Sequence, residues 1–98
     1  MTIKNVLELL ELATTPVAKV IHKGDHFKVL ALAFKKGMIL KEHKSNLPAK
    51  LTVLEGSVIY FEDDGQKVLN KYETTDIPIG VIHSVECTQD ALCLLTQG

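Results

Sequence analysis

Four histidines are the side chains of this protein whose ordinary titration lies closest to neutral pH. Two of them, His43 and His83, sit in patterned surroundings. His43 precedes Ser45 by two residues, and His83 follows Pro78-Ile79-Gly80 and precedes Cys87 by four. Two imidazoles and a hydroxyl can hydrogen-bond a small polar molecule. With further donors they can hold a divalent metal, and an imidazole near its usual pKa can carry a proton. A divalent site needs three or four ligands and usually a carboxylate. Glu42 and Glu86 adjoin the histidines, but on a strand adjacent residues point to opposite faces. Glu55 has the right parity and stands at a strand end, beside Gly56. Two imidazoles therefore remain. His22 and His26 flank Lys23-Gly24-Asp25 and read as exposed residues of a turn.

The elements that must carry these residues are short. Ile3, Val6, Leu7 and Leu10 recur at helical spacing with Glu8 and Glu11 off the stripe. Thr2 can cap the start, and Pro16 bars continuation much beyond Thr14, so residues 1–15 read as an N-terminal helix or arm. After Pro16 the pattern changes to apolar or alternating runs of about five to eight residues, the usual strand length. The breaks fall at Lys23-Gly24-Asp25, Lys36-Gly37, Glu55-Gly56, Asp63-Asp64-Gly65, Tyr72-Glu73, Pro78-x-Gly80 and Gln89-Asp90. Asp64-Gly65, between Ile59-Tyr60-Phe61 and Val68-Leu69, is a hairpin signal. Such spacing means an all-β sandwich or barrel over residues 16–98. With 98 residues, 46% of them hydrophobic, the chain suits a single domain with a packed core.

Charge and composition exclude several classes. The formal net charge is −1, from 11 basic and 12 acidic side chains, with no basic stripe interleaved with aromatics; nucleic acid is not an expected partner. The longest apolar run, Val29–Phe34, is too short to span a bilayer, so no membrane association is expected. The N-terminus has no basic-then-apolar layout of an export signal, which makes the cytoplasm the expected location. Cys87 and Cys93 read as reduced core thiols, and no C-x-x-C pair is available for zinc or redox chemistry. Lys35-Lys36, Lys41 and Lys44 read as a solvated strand edge.

Two blocks, Gly37 to Gly56 and Pro78 to Cys87, resemble the two motifs of the cupin superfamily. Gly37, His43 and Gly56 fall in register with the first, and Pro78, Gly80 and His83 with the second. The resemblance implies an all-β, cupin-like double-stranded β-helix (a jelly-roll barrel) with His43 and His83 meeting inside it. It also implies an incomplete metal motif: Ser45 stands where the family has its second histidine, Ala49 (or, with one more spacer residue, Lys50) where it has glutamate, and Cys87 where it often has asparagine. A homodimer is expected by the same resemblance. The leading functional expectation is a small-molecule pocket in which His43, His83 and Ser45 hydrogen-bond the ligand and Met38, Leu51, Val53 and Cys87 line it. The alternatives are a degenerate metal-dependent enzyme of dioxygenase or isomerase type, with a divalent transition metal on His43 and His83, or a structural or protein-interaction module.

Overall fold

The computed structural model describes residues 1–63 and 65–98. Its elements are helix α1 (Ile3–Leu10) and strands β1 (Val17–Lys23), β2 (Lys28–Phe34), β3 (Ile39–His43), β4 (Ala49–Glu62), β5 (Gly65–Leu69), β6 (Thr74–Ile77) and β7 (His83–Gln97). All pairings are antiparallel, in the order β1-β2-β7-β4-β5, with β3 beside β7 and β6 beside β4.

Helix α1 starts at a capping box. The Thr2 hydroxyl accepts from the Asn5 backbone N–H at 3.1 Å, and the Asn5 side-chain carbonyl accepts from the Thr2 N–H at 3.0 Å. The helix ends at Leu10, four residues short of the limit set by Pro16, because Glu11 and Ala13 donate to Glu8 and Leu10 in tighter turns. Val6 is fully buried against Ala31 and Ala33 of β2. On the other face of β2, Leu32 and Phe34 enter the barrel interior. Burial on both faces explains why this strand is a continuous apolar run rather than an alternating one.

The two long strands shape the barrel. β4 and β7 pair from Ala49 opposite Gln97 to Glu62 opposite His83, with register shifts between Val53 and Val58. On one side of these bulges β4 pairs with β6 and β7 with β2; on the other side β4 pairs with β5 and β7 with β3. Bulges bend and twist a ladder, so each long strand serves two sheets that fold over a common interior. Phe34, Leu51, Val53, Val58, Tyr60, Val85, Cys87 and Cys93 fill that interior, each under 2% exposed.

Two sequence-based turns are corrected by this arrangement. Glu55-Gly56 and Gln89-Asp90 do not separate strands; they lie at the bend within β4 and β7. Cys87 and Cys93 consequently occupy one continuous strand, opposite Val58 and Val53. Of the hairpin signal at Asp64-Gly65, Asp64 lies outside the described residues, and β4 and β5 pair from Val58 opposite Leu69 to Glu62 opposite Gly65. Among the described residues, no helix is long and apolar enough to cross a membrane.

Candidate functional site at the barrel mouth

His43 is the last residue of β3 and His83 the first of β7, and they stand directly opposite each other. Their ring centroids are 4.2 Å apart with the planes tilted by 58°. His83 is 4% exposed and turned into the barrel, whereas His43 is exposed at the rim. The expectation that both lie inside is therefore corrected: β3 ends at His43, and its side chain is exposed to solvent.

Each ring is held in the same way. His43 Nδ1 lies 3.0 Å from the Lys41 carbonyl oxygen, and His83 Nδ1 lies 3.0 Å from that of Val81. A carbonyl only accepts, so each Nδ1 carries the proton, and in the neutral ring Nε2 keeps a lone pair for a further partner. Burial holds His83 below the ordinary imidazole value of 6.5; the Val81 carbonyl opposes this, His43 reinforces it, and Glu62 opposes it. A folded-state value below the unfolded one means that the unfolded chain binds more protons as the pH falls. Stability should thus decline as the pH drops through 6.5. Urea unfolding between about pH 7.5 and 5.5 checks this, and His83→Gln should flatten the slope.

Two further residues complete the cluster. Tyr60, on β4, has its ring centroid 5.9 Å from that of His83 and is fully buried. Its hydroxyl makes no hydrogen bond of full geometry among the described residues, but the Glu62 carboxylate acts on it as a hydrogen-bond acceptor. Glu62, two residues on and on the same strand face, stands opposite His83 and is half-buried. Burial, then the negative charge of Glu62 and a hydrogen bond to that carboxylate, pushes the Tyr60 phenol up to about 12, so it keeps its proton throughout the neutral range. Neither residue was singled out in the sequence. The signal was the two-residue step from buried Val58 through Tyr60 to Glu62, which ends an inward-facing row on a carboxylate.

The other expected site residues lie elsewhere. Ser45 is beyond the end of β3, where its hydroxyl donates to the Leu47 carbonyl at 3.0 Å and accepts from the Leu47 N–H at 3.1 Å. It lines, with Lys44, Asn46, Ile79 and Gly80, an open depression of about 470 Å³. Strand parity therefore does not carry from His43 to Ser45, because β3 ends at His43. Leu51, Val53 and Cys87 are packed in the core, not around an opening. Cys87 Sγ donates to the Gln89 carbonyl at 3.0 Å, and Met38 Sδ accepts from the Lys35 N–H at 3.2 Å. His22 and His26 are exposed, and Glu55 pairs with Lys71 at the surface at 3.1 Å.

Among the described residues, no three or more His, Cys, Asp or Glu side chains are grouped so as to hold a metal ion. Ser45 is committed to its own turn, and Ala49, buried opposite Ile77 and Gln97, offers only a methyl group. The residues present do not fit a divalent metal. Untagged protein should carry less than about a tenth of an equivalent of any transition metal by elemental analysis, and a titration should show no tight uptake.

Solved structures share this arrangement of strands. An RmlC-like cupin protein from Desulfovibrio desulfuricans superposes with a TM-score of 0.79 at 26% identity, covering 86% of this chain and 82% of that one. A cupin superfamily protein from Desulfitobacterium hafniense matches with a TM-score of 0.81 at 16% identity, over 92% of this chain and 84% of that one. This chain is a small cupin-fold protein. An RmlC-like cupin family protein from Methanocaldococcus jannaschii, with a double-stranded β-helix fold, also resembles this cupin: TM-score 0.78, 14% identity, 89% and 83% coverage. No family model and no curated protein matches the chain. The cupin barrel is thereby established.

Proposed function

We propose that this cupin binds a small molecule at the barrel mouth, with His43 and His83 as its principal polar contacts. The observation that carries the reading is the shared fixation of the two rings. Both are held by backbone carbonyls through Nδ1, and their centroids lie 4.2 Å apart, which leaves an Nε2 lone pair on each of two adjoining neutral rings. Holding both rings in one tautomer removes much of their freedom before a ligand arrives, and preorganisation of this kind raises affinity. An apolar interior with a few convergent polar groups is the usual composition of a small-ligand site. Met38, half-buried and packed against the core, is the apolar residue of the expected lining nearest in kind to a pocket wall.

Thermal-shift measurements with a panel of metabolites test the reading. At least one compound should raise the melting temperature of the wild-type protein and have no effect on the His43→Ala, His83→Ala double variant. Each protein is compared with its own ligand-free baseline, since removing His83 alters stability in itself. Identical responses of the two proteins across the panel would remove the proposal and favour a barrel that serves only as a structural core.

A further inference from the structure

We propose that the outer face of strands β3, β7, β4 and β5 docks a second copy of this chain about a two-fold axis, with Lys41 of each copy against Glu86 of the other. The inference is independent of the binding role proposed above.

The two outer faces of the barrel differ in what covers them. Helix α1 packs on β1 and β2 and hides Ala31 and Ala33, the outward residues of a continuous apolar run. The second half of β4 has the same signature, an unbroken hydrophobic run of Val58, Ile59, Tyr60 and Phe61. Val58 and Tyr60 fill the interior, so Ile59 and Phe61 point outward. Ladder pairing extends this outward side into one row across all four strands: Ile39, Glu86, Ile59 and Val68. Their chain neighbours Leu40, Val85 and Leu69 contact the core, which fixes the row on the outer face. Ile39 and Val68 are 54% and 56% exposed, and the described residues contain no second helix to cover them. An antiparallel sheet that faces water alternates apolar-in with polar-out. This one does not, and contiguous apolar surface left in the open marks an interaction site. The free edge of β1 is a poorer surface, because Lys19, Lys23 and a register shift between Val20 and His22 interrupt it.

Charge selects the occupant. Glu86 is half-buried in the middle of the row and has no ion-pair partner among the described residues. The opposite charge on this face is Lys41, outward by alternation from Leu40 on the adjoining strand, exposed and likewise unpaired among the described residues. Glu42, exposed beside Lys41 where the β3 register shifts, does not alter the requirement, since Glu86 still lacks a cation. A two-fold pairing makes every contact twice. When Lys41 of one copy meets Glu86 of the other, the reverse contact forms as well. A second copy therefore supplies both the apolar cover and the missing counter-charge.

Sedimentation equilibrium of the full chain across the micromolar range should show a species of twice the 10.8 kDa chain mass. Val68→Glu, at an exposed position, should weaken association by about tenfold or more. Leu12→Lys, at a 95% exposed position beyond α1, should leave it unchanged. Lys41→Glu and Glu86→Lys should each weaken association by about tenfold or more, because each sets like charges together. The double exchange of the two should restore it. Far-ultraviolet circular dichroism confirms that each variant is folded. A monomer at every concentration overturns the proposal in favour of a different protein as occupant. A dimer that survives Val68→Glu overturns it, because the interface then lies elsewhere. Single exchanges without effect, or a double exchange that restores nothing, overturn the pairing of Lys41 with Glu86.

Discussion

Gly56→Ala is expected to destabilise the protein by about 3 kcal/mol or more, from backbone strain plus overpacking, and to lower its yield of folded material. Gly56 has φ of +80°, in the left-handed region, where a side chain collides with its own backbone. Its surroundings make the cost larger. A Cβ at this position would overlap the Asp90 carbonyl oxygen and stand 2.7 Å from the Asp90 carbonyl carbon and from the Gln89 oxygen. These are backbone atoms of the bend in β7, and they cannot swing aside as a flexible side chain would. Gly37 is the internal control: its φ is +89°, yet an added Cβ there meets nothing within 4 Å. Gly37→Ala should cost only the conformational share, about 1–2 kcal/mol. Urea unfolding of both variants checks the difference. Equal losses would mean that the close approach of the two bends does not matter for closing the barrel.

The second large effect is alkaline. Burial pushes the Cys93 thiol up from 9.0 to about 12, with Cys87 a lesser cause. A folded-state value above the unfolded one means that, between the two, the unfolded chain has released a proton that the folded chain retains. Raising the pH therefore favours unfolding. Each pH unit traversed removes about 1.4 kcal/mol, so Cys93 alone accounts for about 4 kcal/mol by pH 12. Tyr60, raised to about 12, acts in the same direction above pH 10.0. The melting temperature should hold up to the pH of an ordinary thiol and then fall steeply. Cys93→Val keeps a small apolar group in the core and should move the alkaline midpoint upward with a change of less than about 1.5 kcal/mol at neutral pH. An unchanged alkaline transition in that variant would contradict the assignment.

The local features of the fold were the legible ones. Thr2 and the stripe of Ile3, Val6, Leu7 and Leu10 marked the helix, although Leu7 is exposed, and the alternation Ala49, Leu51, Val53 marked an inward face, because period and capping are properties of neighbouring residues. Glycine was less plain. Gly37 and Gly80 do sit in turns, but Gly56 marks a bend inside a continuous strand, and both uses need positive φ. Misreading that bend also misplaced Gln89-Asp90, since the two bends face each other across the β4–β7 ladder. At the candidate site the meeting of His43 with His83 followed from the resemblance to the cupin motifs. Glu62 opposite His83 did not, because that pairing joins strands far apart in the chain and depends on how many residues the bulges absorb. Ser45 had the right parity on paper, but parity lapses where a strand ends, and β3 ends two residues earlier.

Imidazole spectroscopy of the ligand-free protein bears most directly on the whole account. Nuclear Overhauser contacts should join the ring protons of His43 and His83, and in their neutral form both rings should carry the proton on Nδ1. Rings without mutual contacts, or carrying their proton on Nε2, would contradict the claim that this barrel opens onto a matched pair of imidazole acceptors.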